Sequence, residues 1–260
     1  MHYERFGTGP QHVIFVHGMR NSGAVWWPVR ERLDGARISA WFVDLPGCGR
    51  SAAPQRWEQC TIEQYAIDVV RFATDMAIGD VVLVGHSVGG AIAAQVALDH
   101  PELVRGLVLV APASFQGVDY ISDDEVEMLI RADDVVIEAV TRMAFHRTPD
   151  DATFARVLAI VRAATSTHTE GIVRSMQACR IIDRLDELDT PTLLVEGDRS
   201  LHVPLRHSLA TYAAIRDCSI QVFHNVGHVP FIEARDEFVA LLDEFIEVDL
   251  FAERNAKEIT

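Results

Sequence analysis

The stretch VVLVGHSVGGAIAAQVAL, Val81 to Leu98, decides the fold. A continuous apolar run ends in Gly85-His86-Ser87-Val88-Gly89 and passes directly into an Ala-rich segment that Pro101 stops. Strands buried on both faces of a parallel sheet read as unbroken apolar runs. The pattern G-x-S-x-G between such a strand and a helix is the context in which the serine is a nucleophile. It sits on a sharp, strained turn, and neighbours without Cβ let strand and helix approach closely. Ser87 Oγ is then presented at the sheet edge, and the helix N-terminus offers backbone N–H groups to a developing oxyanion. The plain alternative, an idle serine in a Gly-rich turn, does not account for the strand before and the helix after.

Working outward, five further apolar runs have the same character: HVIFVHG (12–18), ISAWFVDLPG (38–47), GLVLVAPA (106–113), TPTLLVEG (190–197) and SIQVFHNVGH (219–228). Helical patterns lie between them. IEQYAIDVVRFATDM places Ile62, Tyr65, Ala66, Val69, Val70 and Ala73 on one face. This alternation predicts an α/β fold, a mostly parallel sheet flanked by helices. From Ser114 to Asp189 no strand pattern occurs, and four amphipathic segments follow one another. An interval that long exceeds ordinary loops and is expected to be a unit of its own. The expected organisation is a core of residues 1–113 and 189–260 with a helical cap insertion over 114–188. The last residues, FAERNAKEIT, read as a frayed polar end.

The 260 residues carry a formal net charge of -15, with 49% hydrophobic and 23% charged residues. That is a globular composition. The negative charge argues against nucleic acid and gives no reason for binding an anionic membrane. No apolar run approaches the roughly 20 residues of a membrane span. The opening MHYERFGTGP has no apolar signal region. Four scattered cysteines, Cys48, Cys60, Cys179 and Cys218, suit free thiols in a reducing cytoplasm. Eleven histidines include no H-E-x-x-H pair. No metal and no organic cofactor are expected. The expected partner is a small, apolar substrate, and the oligomeric state is left open.

Together HG at 17–18, DLPGCGRS at 44–51, GHSVGG at 85–90, the helical interval, and the late GH at 227–228 resemble the α/β-hydrolase family over nearly the whole chain. The resemblance implies a triad in the order Ser, acid, His. Ser87 matches the nucleophile and His228 the base, ahead of His224, His86 and His17. His17 resembles a residue that shapes the oxyanion loop. The implied oxyanion donors are the backbone N–H groups of Met19 and Val88. Arg20, Asn21 and Ser22 are either pocket mouth or solvated turn. Asp44 and its glycines resemble a structural turn, so Cys48 is given no catalytic part.

The acid is the open question. Family members often end this strand with G-x-x-D-x-x-V-P. Aligning Gly197 and Val203-Pro204 puts Ser200 at the acid's place. The expected acid is therefore Asp198, reaching His228 by a different loop path. One alternative takes the acid from after the preceding strand, where APASFQG has no carboxylate and Asp119 is too far along. The other is a Ser–His dyad with Ser200 or water against the histidine. The substrate pocket is expected under the cap, with Met128, Leu129, Met143, Phe145 and Phe154 as candidate lining residues and Trp26 and Trp27 as further possibilities. His202 reads as a surface-loop residue, with contact to a substrate as the alternative. The function implied is a serine hydrolase of esterase or lactonase type. A C–C bond hydrolase, whose glycine-rich oxyanion loop is replaced here by HGMRNSG, and a catalytically weakened ligand-binding protein are the alternatives. Ser in the elbow disfavours epoxide hydrolases and dehalogenases, which carry Asp there.

Overall fold

A computed structural model describes residues 1–118 and 122–249. Asp119 and the FAERNAKEIT end lie outside the described residues. Seven strands form one sheet: β1 (His2–Phe6), β2 (Gln11–Val16), β3 (Ile38–Asp44), β4 (Val81–His86), β5 (Val104–Val110), β6 (Thr192–Gly197) and β7 (Cys218–Phe223). Their spatial order is β1-β3-β2-β4-β5-β6-β7. β1 runs antiparallel to β3, and every other pair is parallel. This is the expected sheet. The six apolar runs are its parallel strands, and β1 is the one the sequence reading missed. HYERF is short and lies at the edge, with no residue fully buried, so it carries no core signal.

Ten α-helices accompany the strands among the described residues: α1 (Trp27–Arg30), α2 (Ile62–Asp75), α3 (Val88–Asp99), α4 (Asp123–Ile130), α5 (Asp134–Met143), α6 (Asp151–Arg162), α7 (Ser166–Ala178), α8 (Leu205–Ala214), α9 (Pro230–Glu233) and α10 (Arg235–Glu244). The sheet splits the core in two by strand alternation. Leu83 of β4 packs with Ile14, Leu109 and helices α2 and α3 on one face. Val82 and Val84 face the other way, toward Phe15, Trp26, Phe231 and Phe238. α2 buries Ile62, Tyr65, Ala66, Val69, Phe72 and Ala73, with Thr61 accepting the Gln64 N–H at its start. Val70 of the expected face is only half-buried, and Phe72 takes the place in the core.

Between β5 and β6 no strand occurs among the described residues, and α4 to α7 fill the interval. Each begins on a side-chain cap: Ser122 on Glu125 N, Asp133 on Val136 N, Asp150 on Thr153 N and Thr165 on His168 N. Such caps satisfy backbone donors that the first helical turn leaves unpaired. β2 and β4 are adjacent, while the chain leaves β2 toward β3 on one side and β4 toward β5 on the other. The carboxyl ends of β2 and β4 are therefore a topological switch point, where open α/β sheets form their binding crevice.

Candidate active site

Ser87 leaves β4 with φ 53° and ψ -122°, a left-handed conformation that L side chains rarely adopt. Packing enforces it. A Cβ on Gly85 would fall 2.3 Å from Gly89 O, and one on Gly89 would fall 2.4 Å from Val16 O. Strand, turn and helix are thus closer together than any other residue type allows. The Ser87 N–H is tied to Val110 O at 3.0 Å, and its carbonyl accepts from Gly90 and Ala113. The turn is over-determined, which is how a strained residue persists.

The loop after β2 is pressed onto this turn. A Cβ on Gly18 would stand 3.1 Å from Ser87 Cβ. His17 is fully buried and holds the loop: its Nε2 accepts from Leu45 N at 3.0 Å, so Nδ1–H donates to Gly18 O at 2.8 Å. Burial pushes this imidazole down to about 4, so it is a neutral structural group. Asp44 anchors the same region from below, accepting from Gly23 N and Arg50 N at 2.8 Å each. Cys48 is buried and its thiol is pushed well up by desolvation, which leaves it unreactive. Among the described residues, neither the Met19 nor the Val88 N–H enters a loop or turn bond.

His228 stands across the cavity, fully enclosed, with its N–H donating to Ala144 O at 2.7 Å. Its Nδ1 lies 3.2 Å from Ser200 Oγ, which also accepts from Val203 N at 3.4 Å. The expected acid is elsewhere. One Asp198 oxygen meets His224 Nδ1 at 2.8 Å and the other accepts from Asn225 N at 2.7 Å. Asp198 thus closes the turn after β7, and the expectation that it reaches His228 is corrected. The backbone carries it to the outer side of the loop, where two donors occupy it. Ser200, the residue that the Gly197 and Val203-Pro204 alignment placed there, is the group at Nδ1.

Two more imidazoles flank His228. The rings of His86 and His202 each lie 4.9 Å from it, centroid to centroid. His86 Nε2 donates to the His228 carbonyl at 2.9 Å, which turns its ring away from Ser87 chemistry. Burial pushes both flanking rings down to about 4. The same burial, followed by the fields of His86 and His202, holds His228 well below the ordinary histidine value. His202, read from sequence as a surface residue, is half-buried in the cavity wall.

These groups line a cavity of about 90 Å³. Met19, Arg20, Asn21, Ser87, His202 and His228 supply one side of it, and Leu129, Ile137, Val140, Val157 and Val161 of the inserted helices the other. Of the other proposed lining residues, Met128 and Met143 are exposed, while Phe145 and Phe154 pair with each other in the core. Trp26 is core against Phe231, and Trp27 carries the Arg156 guanidinium 4.3 Å from its ring. Ser22 caps a short 3-10 turn by accepting from Ala24 N and does not line the cavity.

The model of the "Alpha/beta hydrolase family" matches residues 13–241. The chain belongs to that family. The hydrolase is 31% identical over 257 residues to a pimeloyl-[acyl-carrier protein] methyl ester esterase of Citrobacter koseri, covering 91% of this chain and 94% of that one. It is 28% identical over 254 residues to the dihydrolipoyllysine-residue acetyltransferase component of the acetoin cleaving system of Cupriavidus necator. That match covers 94% of this chain and 66%, just under two thirds, of the relative's length. An esterase of Exiguobacterium antarcticum shares its fold with a TM-score of 0.88 at 23% identity, over 94% of each chain. Est816, described as an N-acyl homoserine lactone degrading enzyme, superposes with a TM-score of 0.81 at 24% identity, over 94% of this chain and 96% of that one. The hydrolase is of the carboxylic ester type. Among its described residues no helix is long and apolar enough to cross a membrane.

Contacts with the inserted helices hold the site of the hydrolase in place, and sequence gave little sign of them. Glu233 accepts from Gly227 N at 2.8 Å with one oxygen, and from His146 N and Arg147 N with the other. It clasps the histidine loop to the end of α5. On the opposite side, His168 of α7 stacks on Tyr65, and its Nδ1–H donates to the Tyr65 hydroxyl at 2.9 Å. That hydroxyl in turn donates to Pro46 O. The only sequence signals were a Glu five residues after the GH pair and a His in a helical pattern, neither distinguishable from ordinary surface or core.

Proposed function

We propose that the protein hydrolyses a small carboxylic ester or lactone through an acyl-enzyme on Ser87. Ser87 Oγ attacks the acyl carbon as its proton passes to His228 Nε2. The oxyanion is held by the N–H groups of Met19 and Val88, each donor contributing roughly 3–4 kcal/mol in the transition state. The alcohol leaves with the proton from His228. Water, deprotonated by the same nitrogen, releases the acid and restores Ser87. The observation that carries this reading is the strained Ser87 elbow opening into the cavity that His228 lines.

Ser200 takes the place of a triad acid. Its oxygen accepts the His228 Nδ1–H, which leaves the Nε2 lone pair free for Ser87. It fixes the tautomer but brings no negative charge to the imidazolium that forms. A neutral third group implies slower turnover with unchanged chemistry. The restricted, mostly apolar chamber favours short substrates.

Fluorophosphonate labelling with an ester and lactone screen tests the reading. Wild type is expected to label at Ser87 and to turn over short esters, and Ser87→Ala to do neither. An unlabelled wild type with no esterase or lactonase turnover would overturn it.

A further inference from the structure

The cavity wall contains one group that is ionised at neutral pH. His86, His202 and His228 are held neutral by burial, and no Asp, Glu or Lys among the described residues lines the chamber. The exception is Arg20. The backbone fixes its position: φ is 60°, and its N–H points to His168 Nε2 at 3.5 Å. Its Nη1 donates to Thr169 Oγ1 at 3.0 Å. Its Nε is closed to bulk water and bonds to nothing among the described residues. No carboxylate lies within ion-pair distance of it among those residues.

Acids are plentiful in this chain, which has 38 acidic and 23 basic residues, and Arg20 is half-buried in the cavity wall without one. Half-buried Arg30, Arg174 and Arg184 pair with Glu4, Glu170 and Asp99. A half-buried guanidinium held without a counter-charge is costly unless something else completes it. Arg20 lines the chamber, and Thr169 Oγ1 is the one side-chain acceptor its guanidinium meets among the described residues, which leaves N–H groups for an anion that enters.

We propose that Arg20 anchors a carboxylate on the substrate, so that the ester or lactone opened at Ser87 is a short one carrying its own free acid group. This rests on the hydrolase reading above and names its substrate class. A single guanidinium in a chamber with apolar walls matches a carboxylate on a short carbon chain. A phosphate dianion would call for further donors that the wall does not supply. Arg20 is a specificity residue in this scheme, with the bond-making left to Ser87 and His228.

The test compares monomethyl succinate and monomethyl glutarate with their dimethyl esters and with methyl butyrate, on wild type, Arg20→Gln and Arg20→Lys. Glutarate binding to Ser87→Ala is measured by calorimetry in parallel, with and without Arg20→Gln. The expected result is a wild-type kcat/KM that favours the half-esters. Arg20→Gln should reduce that preference at least about tenfold, mainly through KM, and Arg20→Lys should recover part of it. Ser87→Ala should bind glutarate and lose it when Arg20→Gln is added. Equal turnover of half-esters and neutral esters, with no glutarate bound by Ser87→Ala, would overturn the proposal. If Ser87→Ala binds glutarate through Arg20 while wild type hydrolyses no ester and takes no fluorophosphonate, the anchor stands and the hydrolase reading falls.

Discussion

Ser200 and Asp198 are two residues apart, and their side chains serve opposite sides of one loop. The hydroxyl faces His228 Nδ1, while the carboxylate is used up by His224 and Asn225. Replacing Ser200 by Asp puts a negative charge beside the imidazolium. A charge-assisted bond exceeds a neutral one by roughly 1–1.5 kcal/mol, so kcat should rise about tenfold. Asp198→Asn should leave kcat within about twofold of wild type, read by steady-state kinetics, because its two oxygens bond to His224 and Asn225 and not to His228. The pH profile separates the two roles further. A base acts in its neutral form, and the His228 value lies well below 6.5 because of burial. Wild-type kcat/KM should therefore stay flat as pH falls through 6.5 and decline only in more acidic buffer. Ser200→Asp favours the charged imidazole, so its acid limb should move upward.

At the scale of elements, the site depends on two clasps between the sheet and the inserted helices. Glu233 takes three backbone N–H groups with one carboxylate, joining the turn before α9 to the end of α5. Glu233→Ala leaves these donors without their acceptor and lets the His228 loop shift. A loss of roughly 1.5–3 kcal/mol is expected in a chemical melt, with kcat falling more than KM rises. The elbow is less tolerant still. Gly89→Ala drives a Cβ into the backbone of Val16 and His17, so strand β2 and helix α3 must part. The expected outcome is a Tm several degrees lower, or no soluble protein.

For the molecule as a whole, the pH dependence of stability includes a carboxyl buried in the sheet that resists ionisation. Glu196 of β6 is buried, bonded by the Ser208 hydroxyl, and burial pushes it up to about 8. The unfolded chain ionises it near the ordinary glutamate value. Between that value and about 8 the folded state therefore holds more protons, and stability falls as pH rises through this window. Below the window the penalty is absent, and above it the penalty is complete. Glu196→Gln should flatten that slope, raising Tm relative to wild type at pH 9 and much less at pH 5, as calorimetry can read. Glu196 belongs to an apolar run in the sequence, and nothing in TPTLLVEG distinguishes a protonated buried acid from a strand-end residue facing water.

What the sequence determined by itself was the part built from local repetition. Six strands, the helix face of α2 and the Ser87 elbow follow from residue spacing along the chain, since each depends on which neighbours are apolar or lack a Cβ. The late GH pair likewise marked His228. The tertiary structure alone decided which group meets Nδ1. The spacing of Gly197 and Val203-Pro204 placed Ser200 at the acid's position, but only the loop path, which turns the side chain two residues earlier outward, shows that Asp198 does not reach His228. It also decided that Arg20 faces the chamber without a counter-ion and that His202 belongs to the wall. Leu129 lines the chamber while Met128 beside it points to solvent. Those outcomes depend on contacts between segments a hundred or more residues apart, such as Arg20 with Thr169 and His86 with the His228 carbonyl. Helical periodicity shows that a face is apolar, and only packing shows whether it meets the core or the substrate.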